Sequence, residues 1–149
     1  MGGEPYYYFV PYQQDISAAL QALRRREFEA GRYNPAMPFP SRYLPLGPES
    51  PAPGRQHDSI EDALEDSDAD GTRSILDIER VSDTPDFSVA TRLSDESLIS
   101  LYGTTRPSRD QVEEEMAFLD DIERGYCVYV ILYQGDTPSE ILFAGYSYD

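Results

Sequence analysis

The feature that most constrains this chain lies near its end, where residues 126–133 read Tyr-Cys-Val-Tyr-Val-Ile-Leu-Tyr. Successive side chains of a strand point to opposite faces, so a run apolar at every position belongs inside a sheet and not at a wet edge. Gly135-Asp136-Thr137-Pro138 supplies a turn, and 140–148 returns as a second strand. The spacing predicts a hairpin whose first strand is central.

The remaining elements are read around that hairpin. Tyr6-Tyr7-Tyr8-Phe9-Val10, between two prolines, has the composition of a strand. Asp15 is placed to cap a helix with Ile16, Ala19, Leu20 and Leu23 at helical spacing, stopped by Gly31. Arg24, Arg25 and Arg26 fall in its later turns, where cations suit the helix dipole. Residues 33–56 hold seven of the twelve prolines, a density that excludes helix and central strand and predicts a long loop. Ser59-x-x-Asp62 opens a short helix, and the alternation of Leu76, Ile78 and Arg80 with Asp77, Glu79 and Val81 predicts a strand with one wet face. Residues 88–93 read as another strand, Ser94 as the cap of a brief helix ending at Gly103. Ser108-x-x-Gln111 is a capping box, with Val112, Met116, Leu119 and Ile122 as the apolar stripe of a helix ended by Gly125. Together these give a single α+β domain over 1–149. Its sheet is mixed or antiparallel, with about 4–5 strands, and its helices are expected mainly on one face.

Charge narrows the partners. The 149 residues carry 28 Asp and Glu against 12 basic residues, all arginine, for a net charge of −16. Residues 1–56 sum to +1 and residues 57–149 to −17. Such a surface repels nucleic acid and anionic membrane and attracts basic proteins or cations. Without lysine there is no amine for a Schiff base and no P-loop lysine. A GC-rich genome accounts for arginine in place of lysine, and salt adaptation is the competing explanation of the acidity. One cysteine, Cys127, allows no internal disulfide. The N-terminus has neither the basic flank nor the apolar run of a signal peptide, and no run spans a bilayer, so a cytoplasmic location is expected.

Few motifs carry chemistry. Asp66-x-Asp68-x-Asp70-Gly71 matches the first half of an EF-hand loop, with Asp77 at the twelfth position, and makes calcium the one cofactor the sequence suggests. Against it stand Arg73 at a position that is normally apolar, Asp in place of the bidentate Glu, and a strand-like sequence where a helix should follow. His57, the sole histidine, reads as an exposed loop residue, and with one His and one Cys no ordinary zinc site forms. The acids of the helix after Pro107 point to different sides, which suits a solvated face better than an acid/base pair. No catalytic residue is identified.

Two surfaces remain as candidates. Asp110, Glu113, Glu114, Asp120 and Asp121, with Tyr6, Tyr8, Tyr146 and Tyr148 emerging from the sheet, would make an acidic, tyrosine-bearing face for a basic protein. The alternative is a small enzyme or ligand-binding domain with the proline-rich loop as a lid over a pocket, where Arg32, Arg42 and Arg55, in and around that loop, would grip an anionic ligand. The first reading leads. In size and charge alone the chain resembles bacterial immunity proteins and nuclease inhibitors, which are small, acidic and free of catalytic residues. That resemblance implies a protein-binding role and transfers no residues.

Overall fold

The computed structural model describes residues 5–36, 50–67 and 71–147. The elements run β1 (Tyr6–Pro11), α1 (Ile16–Ala30), α2 (Ile60–Asp66), a 3-10 turn (Ile75–Asp77), β2 (Arg80–Val81), β3 (Val89–Arg92), α3 (Asp95–Tyr102), α4 (Arg109–Glu114), a second 3-10 turn (Ala117–Asp121), β4 (Cys127–Gln134) and β5 (Thr137–Gly145). The five strands form one mixed sheet in the order β1-β5-β4-β3-β2. β5 is antiparallel to β1 and β4, whereas β3 is parallel to both β4 and β2. The α+β class, the mixed sheet and the central position of β4 all agree with the sequence reading.

Topology decides where the helices go. A connection between parallel neighbours has to cross a face of the sheet. The segment from β3 to β4 does so on one face, carrying α3, α4 and the 117–121 turn. There Leu98, Val112 and Phe118 pack on Val130, Leu132, Leu142 and Ala144. The segment from β1 to β2 runs from one edge of the sheet to the other across the opposite face, where α1 sets Ala19, Leu20 and Leu23 against Tyr6, Tyr8, Cys127 and Phe143. The helices thus divide between two faces and do not gather mainly on one, which is why β4 needs apolar residues at both parities.

The caps form as the sequence requires. Asp15 accepts from the Ala18 amide, Ser59 from Asp62 and Ser94 from Ser97, and Ser108 and Gln111 complete their reciprocal box. Gly31 ends α1 in the left-handed conformation at φ 74°. Two further expectations fail. The strand expected over 76–81 is a 3-10 turn followed by a two-residue strand: Ile75, Leu76, Asp77 and Ile78 are all buried and Glu79 and Arg80 both exposed, so burial does not alternate. The helix expected to run to Gly125 stops at Glu114. Stacked carboxylates at 110, 113 and 114 repel across a turn, and acids near the far end oppose the dipole. The break lets Phe118, which is off the apolar stripe, turn into the core.

Candidate interaction surface

The layer over β4 is not closed. α3 starts at the Ser94 cap with Asp95 and Glu96 in its first turn, where carboxylates suit the positive end of the dipole. Where α4 breaks, the Tyr102 hydroxyl donates to the freed Glu115 carbonyl at 2.6 Å, and the Glu115 carboxylate accepts from the Ala117 amide. Burial, with the Glu115 charge beside it, pushes the Tyr102 hydroxyl up to about 12, so it stays a donor. This joint holds the 117–121 turn beside α3 and leaves a groove of about 520 Å³ between them. Leu93, Leu101, Phe118, Ile122 and Val128 form its apolar floor, Ser94, Ser97 and Ser100 one wall, and Glu96 and Asp121 its charged rim. Val128 lies on the central strand, yet it is half-buried while Cys127, Tyr129 and Val130 beside it are buried.

Of the expected partner-binding acids, Asp110, Glu113, Glu114, Asp120 and Asp121 are all exposed on this helical layer. Residues 94–125 carry nine carboxylates against three arginines. One of those arginines, Arg109, is bonded to Glu113 and Glu140 and lies over the Phe9 ring at 4.0 Å. The tyrosines behave differently. Tyr6 and Tyr8 do not emerge from the sheet: each is about 1% exposed, on the face that α1 covers. Pairing of β1 with β5 in the register Tyr6↔Gly145 and Tyr8↔Phe143 turns these two inward and leaves Tyr7 and Phe9 on the other face. Tyr146 is half-buried, and Tyr148 lies outside the described residues.

The other candidate residues are placed as follows. Arg32 forks both oxygens of the buried Glu27 carboxylate at 2.9 and 3.0 Å, and this hydrogen bonding raises its pKa above the ordinary arginine value. Arg55 pairs with Glu29 and faces the Phe28 ring. Both are therefore held by carboxylates of α1, and Arg42 lies outside the described residues. Tyr33 and Ala36, at the start of the proline-rich segment, pack with Phe28, Ala63 and Leu76 in a small core. Asp66 pairs with His57 Nε2 at 2.9 Å, and His57 Nδ1 meets the Tyr33 hydroxyl at 2.7 Å. His57 is thus a bridge between two elements, not an exposed loop residue. Asp77 is buried and accepts from the Thr72 amide, the Thr72 hydroxyl and the Ser147 hydroxyl. Both of its oxygens are thereby engaged within the fold. Asp68 and Asp70 lie outside the described residues, among which no three Asp, Glu, His or Cys side chains come together as a metal site. No described helix is long and apolar enough to cross a membrane.

Sequence reading missed Glu96 and the groove floor. A signal was present: Ser94, Ser97 and Ser100 at i, i+3 spacing put three short side chains along one side of α3, too small to fill the gap beside it. No protein family, curated protein or solved structure matches the chain.

Proposed function

We propose that the chain is a protein-interaction domain that holds a basic protein partner, of the immunity-protein or inhibitor type, through the acidic layer formed by α3, α4 and the 117–121 turn. The observation that carries this reading is the incompletely covered Val128 on the central strand, in a groove that Glu96 and Asp121 also line. An apolar floor bounded by exposed charge of one sign gives a contact area together with electrostatic selection of the partner. Steering by a surface of net charge −16 speeds association with a cation-rich protein and makes it sensitive to salt.

The test is affinity capture from the native host, with the wild-type chain and a Glu96→Gln/Asp121→Asn variant as parallel baits. The expected result is a basic protein retained by the wild type at low ionic strength. It should be eluted by roughly 0.5 M NaCl, where the Debye length falls to a few ångströms, and retained about tenfold more weakly by the variant. Capture of no basic protein, or equal capture by both baits, contradicts the reading.

A further inference from the structure

We infer that the groove between α3 and the 117–121 turn receives an amphipathic α-helix from the partner, with apolar side chains on Val128, Leu93 and Ile122 and arginine or lysine against Glu96 and Asp121; this rests on the acidic layer being the partner-binding face.

Three observations choose a helix of that chemistry. Leu93, Leu101, Ile122 and Val128 of the floor are half-buried, whereas Phe118 beneath them and Leu98, one turn away on α3, are buried in the core. The strand beneath Val128 offers no free edge: β4 is paired by β3 on one side and by β5 on the other. An extended segment laid here would find no ladder to join and would leave its own amides and carbonyls unpaired. A helix satisfies its backbone internally and needs only a lining of side chains, which is what the groove presents. Finally, the rim is negative on both sides, with Glu96 on α3 and Asp121, next to exposed Asp120, on the turn. A neutral or acidic helix would leave these carboxylates facing apolar or like-charged groups, and a basic one pairs them. Length agrees as well. The eight residues of α3 extend about 12 Å at 1.5 Å per residue, enough for anchors at i, i+4 and i+7 of a docked helix.

The experiment uses the full chain and a synthetic peptide of about four turns, with leucine at i, i+3, i+4 and i+7, arginine on the flanks, and one tryptophan. Because the chain has no tryptophan, fluorescence reports the peptide alone. Two controls accompany it: a scrambled peptide of identical composition that destroys the apolar stripe, and a peptide with glutamate in place of arginine. The amphipathic basic peptide should bind about tenfold more tightly than either control. In NMR spectra it should shift the methyl signals of Val128, Leu93, Leu101 and Ile122. Ser100→Phe, which fills the groove from an exposed position, and Glu96→Gln, which removes a rim charge, should each weaken binding severalfold while leaving the spectrum of the free chain folded.

Equal binding of the scrambled peptide, or shifts confined to exposed carboxylate residues, overturns the helix-in-groove inference while leaving the acidic-surface reading standing. Failure of the amphipathic peptide to bind, or binding in an extended conformation, also overturns it. The capture experiment with the native partner judges the broader reading independently.

Discussion

Two buried side chains make the residue-level account testable. The Cys127 thiol is enclosed on the α1 face, and burial pushes it up to about 12. Native protein at neutral pH should therefore resist alkylation, with modification appearing only on unfolding; rapid labelling by a thiol reagent without loss of structure would contradict the packing. Asp77 is the more informative case. Its three hydrogen bonds favour the charged form, but burial outweighs them and raises its pKa above the usual carboxylate value of 3.8. Because the folded value is the higher one, the group's contribution to stability is complete below the unfolded pKa and is lost as pH rises through the folded value. A carbon-13 titration should place the Asp77 midpoint above 3.8. Asp77→Asn should flatten the pH dependence of unfolding in that window. The same residue explains a misreading: an aspartate in an alternating row signals a wet face, and here Thr72 and Ser147 satisfy it in the interior instead.

Among the elements, helix ends were legible in the sequence because a cap is a local event. Asp15, Ser59, Ser94 and Ser108 each bond an amide within three residues, and no tertiary contact is needed to foresee them. The break after α4 was legible only in part: the acids at 110, 113 and 114 are a local feature, but the place of Phe118 against β4 and the bond of Tyr102 to a carbonyl 13 residues away are tertiary. Two glycines separate local from tertiary cost. Gly31 and Gly103 both end helices in the left-handed region, at φ 74° and 72°. A methyl group at Gly103 meets open space, whereas one at Gly31 collides with the backbone of Gly54, whose amide donates to Ala30. Gly103→Ala should therefore cost about 1 kcal/mol, the penalty of the conformation alone. Gly31→Ala should cost more, by about 1–3 kcal/mol of overpacking. Equal urea midpoints for the two variants would show that residue 54 does not pack on the end of α1.

At the scale of the whole molecule, the class and the central strand were written in residues 126–133, but the strand order was not. Nothing in a two-residue strand such as β2, or in the distance between β1 and β5, announces their places in the sheet. The groove was hidden for the same reason: it exists where two elements fail to meet, a relation no local pattern encodes. The charge has a consequence for the fold as a whole. With −16 on 149 residues, self-repulsion opposes the compact state, so added NaCl should raise the thermal midpoint by a few degrees as it screens. A midpoint indifferent to salt would mean that the carboxylates are already neutralised. The most direct test of the central claim is a hydrogen-exchange footprint of the chain bound to its captured partner. Slowed exchange across residues 93–101 and 117–128, with 50–57 unchanged, is the predicted result; protection confined to 50–57 and the end of α1 would contradict the assignment of the acidic layer as the binding face.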